Sequence, residues 1–311
     1  MMYVDAKIVT KPVLVIAFNR PDHLRVLLNR LEGLGISDLY VAVDGPRHVA
    51  DEGLVGQVRS MVEEIDWVEN LYTNFQDTNL GCGRGVTAAI SWFFDEVSEG
   101  IILEDDIVPD PSFFDFCSEL LDRYRDDERV FAISGGNIVP SDYLEDPDAS
   151  YRFAQITHVW GWATWRRSWD QHRLQIDDWY RTLPVGRLWE SSGRSIPGLL
   201  FWAGNFEAIR RGLVDTWDWP MNLAAMKSGQ LTATSNVNLV QNIGFDAQAT
   251  HTTEGDSGLL PVEAARVPSR PVPVRKDRKA ERWTRRNHWN ATYLGTLDRL
   301  RKLVALKGEG R

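Results

Sequence analysis

Short apolar runs alternate with helical patterns through the first third of the chain. The predicted strands are 12–18, 38–43, 68–72 and 101–103, and the helices between them are at about 24–31, 52–65 and 85–97. In the first helix, the apolar positions recur at helical spacing, at Leu24, Leu27, Leu28 and Leu31. Repeated strand–helix units favour an α/β fold with a mainly parallel sheet flanked by helices.

The pattern becomes less regular behind Pro111. Helices and strands are still predicted, but a long aromatic stretch with many glycines separates them. The predicted elements are a helix at 113–124, a strand at 130–134, helical segments at 199–211 and 220–227, and a strand at 231–239.

Charge is distributed unevenly along the chain. The segment Glu263–Arg311 contains 14 Lys and Arg against 5 Asp and Glu, whereas the whole chain carries a net charge of −9. Residues 261–278, with four prolines, are typical of a linker. Beyond them, one face of a basic amphipathic helix would be formed by Trp283, Trp289, Tyr293, Leu297, Leu300 and Val304. The charge distribution therefore predicts an acidic body with a basic C-terminal part at 261–311.

Composition argues against several classes of protein. The chain as a whole is acidic, so it is a poor candidate for electrostatic binding of nucleic acid. No apolar run approaches the roughly 20 residues that span a bilayer, and the start lacks the features of a signal peptide. Cys82 and Cys117 are too few for a disulfide scaffold or a zinc cage. We therefore expect a cytoplasmic protein, with contact to the inner membrane surface through the basic C-terminal part as an option.

Polar side chains follow the predicted strands where these end. Asn19 and Arg20 follow the first strand, Asp44 the second, and Glu104–Asp106 the fourth. In parallel sheets, ligands bind at the carboxyl ends of the strands. Three adjacent carboxylates repel each other unless water or a cation compensates them, and Mg²⁺ or Mn²⁺ binds one or two carboxylates together with substrate phosphate oxygens. The cluster predicts a Mn²⁺ or Mg²⁺ site, with an ordinary acidic loop as the alternative.

The segment Ile102–Phe114 resembles a motif of the GT-A glycosyltransferases. Its Glu-Asp-Asp followed by Pro-Ser-Phe-Phe is similar to the metal-binding motif of the N-acetylglucosaminyltransferase I type. The stretches 158–169 and 238–252 are similar to bacterial family-2-like sugar transferases. The resemblance, which extends from about residue 12 to residue 251, implies a Rossmann-like GT-A fold. Residues 1–135 would then form the nucleotide-sugar-binding half, and 136–260 the acceptor and catalytic half.

The same resemblance implies a reaction. A sugar would move from a nucleoside diphosphate sugar, with UDP favoured, to a hydroxyl of a glycan, a lipid-linked or another acceptor, by a single inverting displacement. Asp106 and His251 would bind the metal, and Glu104 and Asp105 would face the sugar and ribose of the donor. Further donor contacts are implied for Phe18, Asn19, Arg20, Asp44, Arg84, Trp160, Gly161 and Trp162.

Several of these positions also have a structural interpretation. Asp44 lies in an ordinary Asp-Gly-Pro turn. Nine tryptophans lie between Trp160 and Trp219, and they would suit either a carbohydrate site or a second core beneath long loops. Gly161 would let its loop close over the donor.

The candidate catalytic base is Asp218, with Asp215 as the rival. A carboxylate followed by a helix, a glycine and a strand is the order in which inverting GT-A enzymes carry their base, and this order maps to Asp218. Because Asp218 lies just ahead of Pro220 at a predicted helix start, it would alternatively cap that helix.

Other functions stay open from the sequence. They are a non-catalytic protein that binds carbohydrate or nucleic acid, and a nucleotidylyltransferase. The glycine-rich segment 79–85 is also similar to a methyltransferase motif, although it lacks the apolar strand that this motif requires directly before it. The basic C-terminal part would be a solvated helix packed on the body, a contact to an anionic membrane, or a contact to nucleic acid.

Overall fold

The structure, a computed structural model, describes residues 9–245, 260–265, 268, 270–293 and 295. From the start of this part, strands and helices alternate as the hydrophobic pattern predicts. They are β1 (Val13–Ala17), α1 (Pro21–Leu31), β2 (Asp38–Val43), α2 (Val49–Glu63), β3 (Asn70–Phe75), α3 (Gly81–Glu96) and β4 (Glu99–Glu104). Pro21 begins α1, where its fixed φ suits the helix and its missing N–H leaves no bond unmade.

The elements behind β4 vary more in length and no longer alternate regularly. They are β5 (Ile107–Pro109), α4 (Ser112–Tyr124), β6 (Val130–Ser134), β7 (Tyr151–Ala154), β8 (Trp162–Trp165), α5 (Arg166–Trp169), α6 (Trp179–Thr182), α7 (Val185–Ser191), α8 (Ile196–Arg210), α9 (Asp218–Ser228), β9 (Leu231–Ser235), β10 (Val240–Asn242) and α10 (Arg278–Trp283). The strand predicted at 231–239 is thus shorter, and β10, which follows it, pairs with β5.

In the described part of the chain, eight strands form one sheet in the order β3-β2-β1-β4-β8-β6-β9-β7. The first four strands are parallel, but β8 runs antiparallel to both β4 and β6, and β7 runs antiparallel to β9. The prediction of a mainly parallel sheet is therefore wrong, because the sheet is mixed. The aromatic stretch between β6 and β8 contains no crossover helix, and antiparallel entry of β7 and β8 does not need one.

Helices cover both faces of the sheet. Alternate side chains of β1 pack on opposite faces of the sheet. Val13 and Val15 pack with α1, α2 and α4, and Leu14 packs with α3 and α9. A third cluster forms around α8, where Trp202 and Phe206 are buried with residues of α6 and α9. The interpretation of the tryptophans as core residues is correct for most of them. The buried ones in that stretch are Trp162, Trp165, Trp169, Trp179, Trp202 and Trp217.

The composition predicts a linker at 261–278, but the described residues of this segment pack along the body of the protein. The main-chain N–H groups of Glu263, Val272 and Asp277 donate to the Asn238 carbonyl, the Tyr151 hydroxyl and the Phe153 carbonyl, at 2.8, 3.1 and 2.9 Å. We call the described residues of 260–277 the C-terminal strap. It covers the edge strand β7 and leads into α10, which Asp277 caps. No helix in the described ranges is long and apolar enough to cross a membrane.

Candidate active site

The ends of β1 and β4 bring the predicted polar residues together. Both strands are parallel and adjacent, with Ile16 opposite Glu104, so that the segments behind them leave the sheet side by side. The Phe18 N–H donates to Asp105 Oδ2 at 3.3 Å. Arg20 Nη1 donates to Asp106 Oδ2 at 2.8 Å. The acidic cluster is therefore bound to the loop that follows the first strand.

A cleft of about 390 Å³ opens beside this cluster. It joins the end of β4 to the start of α9 and to the segment behind β10. Among the described residues, its charged lining consists of three carboxylates and one guanidinium, those of Glu104, Asp106, Asp218 and Arg20. The candidate metal ligand and the candidate base thus face the same space, and the cleft keeps a negative charge.

Burial raises the pKa of Glu104, and the neighbouring carboxylates of Asp106, Asp105 and Asp218 raise it further. Burial also raises the pKa of Asp105, whose side chain is only 6% exposed. Both carboxyl groups thus experience negative charge that the single Arg20 guanidinium does not balance.

Oxygen ligands of this kind fit a hard divalent cation. Mg²⁺ or Mn²⁺ needs only one or two protein carboxylates when substrate phosphates supply further oxygens. Asp106 and Glu104 both line the cleft and meet that requirement. Among the described residues, no group of three or more His, Cys, Asp or Glu side chains is arranged to hold a metal ion. The second predicted ligand, His251, lies outside the described residues.

Gly244 closes over the Asp106 carboxylate. A Cβ at this position would meet Asp106 Oδ2 and would come within 2.9 Å of Arg20 Nη1. The main chain behind β10 can therefore approach the ion pair only because residue 244 has no side chain. Apart from the similarity of 238–252 to sugar transferases, no sequence signal points to this contact.

Asp218 opens α9 but does not cap it. Trp217 occupies the N-cap position, and no side chain there caps the helix. The capping interpretation of Asp218 is therefore wrong. The Thr216 hydroxyl donates to Asp218 Oδ1, and Asn222 donates to its main-chain carbonyl at 3.0 Å. Trp217 stacks on Trp162, with ring centroids 5.7 Å apart, which anchors the helix start.

The rival base, Asp215, is engaged elsewhere. Its Oδ1 accepts from the Gly83 N–H at 3.1 Å, in the first turn of α3. A Cβ at Gly83 would collide with this carboxylate, so the glycine permits the close approach. Asp215 is not part of the described lining of the cleft, which includes Val214, Thr216 and Asp218.

Of the ten predicted donor contacts, three are in the described lining of the cleft, namely Arg20, Glu104 and Trp160, and Asp44 and Arg84 are among the seven that are not. The Asp44 carboxylate accepts from the N–H groups of Gly45 and Leu80, at 2.8 and 2.9 Å, and from Asn79 Nδ2 at 2.9 Å. It holds the turn before α3, as the turn interpretation expects. Arg84 is exposed and lines a different cavity, beside Trp169.

Asp51 was not predicted, but it positions the loop behind β1. Asn19 Nδ2 donates to its Oδ1 at 2.8 Å, and Arg47 Nε donates to its Oδ2 at 2.8 Å. The Arg47 guanidinium, which lies 5.0 Å from the Phe18 ring centroid, holds the pKa of the buried Asp51 carboxyl well below its usual range. The spacing of Arg47 and Asp51, four residues apart, was the one available signal.

The Trp160–Trp162 segment divides between cleft and core. Trp160 lines the cleft and meets Phe245 edge to face at 5.8 Å. Trp162 is buried, 1% exposed, in the sheet. Gly161 has a φ of +67°, its carbonyl accepts from the Gly135 N–H at 2.9 Å, and a Cβ would lie 2.5 Å from Val240 Cγ1. Close packing therefore accounts for this glycine, and closure of its loop over the donor stays a prediction.

A second cavity of about 220 Å³ adjoins the cleft. Trp160, Asp218 and Trp219 line both spaces, so the Asp218 carboxylate lies at their junction. The far wall contains His288 and Trp289, which follow α10. No model of a known protein family matches the sequence. The function is therefore inferred from the residues of these two cavities.

Proposed function

We propose that this protein is a metal-dependent glycosyltransferase of the GT-A type. It would move a sugar from a nucleoside diphosphate sugar, with UDP favoured, to a hydroxyl acceptor. The observation that carries the proposal is the shared cleft, in which Asp106 and Glu104 lie across from Asp218 at the mouth of a second, aromatic cavity. A donor and an acceptor site that meet at one carboxylate are what a sugar transfer requires.

Asp106 and Glu104 would hold a Mn²⁺ or Mg²⁺ ion together with the donor diphosphate. Such a cation, when bound, neutralises the negative charge that grows on the departing diphosphate. Arg20 supplies a further positive charge beside Asp106 and can donate to a phosphate oxygen. Asp51 keeps the loop of Phe18 and Asn19 in place, where the nucleotide would lie.

The aromatic cavity would receive the acceptor. Trp160 and Trp219 offer apolar ring faces for the C–H surface of a sugar. Asp218 would take the proton of the acceptor hydroxyl while the hydroxyl oxygen bonds to the anomeric carbon. The bond from that carbon to the diphosphate breaks in the same step, which inverts the configuration.

Donor turnover tests the proposal without knowledge of the acceptor. With Mn²⁺ and a UDP-sugar, the protein should slowly release UDP and free sugar, because water can enter the acceptor cavity. Asp106→Asn should abolish this release. Asp126→Asn, which changes an exposed carboxylate of the same charge, is the matched control and should retain it. Release of UMP instead of UDP would point to a nucleotidylyltransferase, and equal turnover in both variants would remove the central assignment.

A further inference from the structure

Two neighbouring cavities of about 400 and 210 Å³ share no lining residue with the two cavities of the candidate active site. They are formed by α7 and the turn behind it on one side, and by the C-terminal strap and α10 on the other. Glu190, Lys276 and Arg278 line both, so the cavities are continuous at these side chains. We call this feature the basic groove, defined by Gln155, Arg187, Arg194, Lys276, Arg278, Arg282 and Arg285.

The groove concentrates positive charge on an acidic protein. Its described lining contains seven Lys or Arg side chains and three Glu, whereas the chain carries a net charge of −9. The glutamates are already engaged. Glu145 pairs with Arg275 at 2.6 Å, Glu190 lies 3.7 Å from Lys276, and Glu281 accepts from the Gln155 N–H at 2.8 Å.

Several of the cations have no acidic partner. Within the described residues, the guanidinium groups of Arg187, Arg194 and Arg285 make no hydrogen bond or ion pair. Arg285 is only partly exposed, and its guanidinium packs against Gly193. Burial lowers the pKa of Arg285, the negative charge of Glu281 opposes this shift, and the adjacent Arg282 and Arg286 lower the pKa further. Arg187 and Arg194 are exposed, whereas Arg285 is half-buried, so of these three groups only Arg285 loses much of its hydration.

Gln155 adds a buried donor without a partner. Its side chain lines the larger cavity and is only 4% exposed. Its Oε1 accepts from Lys276 Nζ at 3.0 Å and from Ser191 Oγ at 3.3 Å, but its Nε2 has no hydrogen-bond partner among the described residues. A buried unsatisfied donor is costly and rare, and an anion in the groove would satisfy it.

We infer that the basic groove binds an anion that carries two phosphate groups. Each cavity holds unpaired arginines, and the shared Lys276 and Arg278 lie where two linked phosphates would meet. Guanidinium groups match phosphate oxygens with two parallel hydrogen bonds, and Gln155 Nε2 can donate a further one. The diphosphate could be a soluble molecule or the headgroup of a lipid, and both sources share this chemistry.

Calorimetric titration with inorganic pyrophosphate in the presence of EDTA tests the inference. Without a divalent cation, the acidic active-site cleft repels the anion, so the basic groove is the site that is measured. Wild-type protein should bind, and Arg278→Gln/Arg282→Gln should bind about tenfold or more weakly, because charged hydrogen bonds are lost. Arg25→Gln/Arg211→Gln removes the same charge from exposed positions elsewhere and should bind like wild type.

Gln155→Glu provides a second variant with a preserved shape. It keeps an oxygen for Lys276 but replaces the unpaired donor by a negative charge, so it should also lose pyrophosphate binding. Asp106→Asn should keep it, which separates this site from the proposed catalytic function. Lack of binding by wild type, or equal affinity in wild type and the Arg278→Gln/Arg282→Gln variant, would overturn the inference. Vesicles that contain a prenyl diphosphate identify the source, since a lipid ligand predicts vesicle binding that pyrophosphate displaces.

Discussion

Replacing Asp218 by Asn separates the chemistry of the cleft from the stability of the fold. Asn keeps the size of the side chain and the oxygen that accepts from the Thr216 hydroxyl, but it cannot take up a proton. No capping bond is lost, because Trp217 and not Asp218 occupies the N-cap of α9. One negative charge beside Glu104 disappears as well. We therefore expect the free energy of unfolding to change by less than about 1 kcal/mol.

The expected effect on catalysis is much larger. Loss of a general base lowers the turnover number by about 10²–10⁴-fold, which corresponds to roughly 3–5 kcal/mol in the activation barrier. Asp215→Asn is the matched control, three positions away in the same segment. It should keep near-wild-type turnover and lose about 1 kcal/mol of stability, because the hydrogen bond from the Gly83 N–H is weakened.

The assay measures UDP release from a UDP-sugar with Mn²⁺, beside thermal unfolding of each variant. Wild-type turnover in Asp218→Asn would refute its role as base. A loss of stability without a loss of turnover would assign this side chain to the fold alone. If Asp215→Asn lost the turnover instead, the two aspartates would have to exchange roles.

Three further predictions concern the fold. Gly161→Ala should destabilise the protein by about 1–3 kcal/mol in denaturant unfolding, because the new Cβ meets Val240 and the φ is positive; unchanged stability would favour a role in loop closure. Trp289→Ala should lower the free energy of unfolding by about 2–3 kcal/mol, since this ring stacks on Phe201 and meets Trp202. An unchanged melting temperature would show that these ring contacts do not stabilise the body of the protein. Burial lowers the pKa of His172 to about 4, below its ordinary 6.5. As the pH falls, this imidazole is therefore protonated in the unfolded chain before it is protonated in the folded protein. Stability should fall by up to roughly 3 kcal/mol as the pH drops from 6.5 to 4, and His172→Gln should flatten that slope in urea titrations at several pH values.

The first four strands were predictable, as were β6 and the start of β9, whereas β5, β7, β8 and β10 were not. Elements β1 to β4 alternate with amphipathic helices, so periodicity alone locates them. Trp162–Trp165 is buried on both faces of the sheet and shows no alternation, which hides β8 from a pattern of period two. Because β8 joins between β4 and β6, missing it also led to the wrong expectation of a mainly parallel sheet.

The site was predictable as far as strand ends determine it. Arg20 and Asp106 meet because adjacent parallel strands end at the same edge. Asp44 also ends a strand, but its carboxylate is engaged by the N–H groups of its own turn and of Leu80. Gly244 lies far along the chain, and only tertiary structure brings it to Asp106. Sequence spacing carries no information on such contacts.

Calorimetric titration of UDP, with and without Mn²⁺, tests the central claim most directly. The account predicts that Mn²⁺ strengthens UDP binding to wild-type protein and that Asp106→Asn abolishes this strengthening, whereas Asp126→Asn preserves it. Binding of UDP that is unaffected by Mn²⁺, or that is enhanced equally in Asp106→Asn, would contradict a metal–diphosphate site at the end of β4.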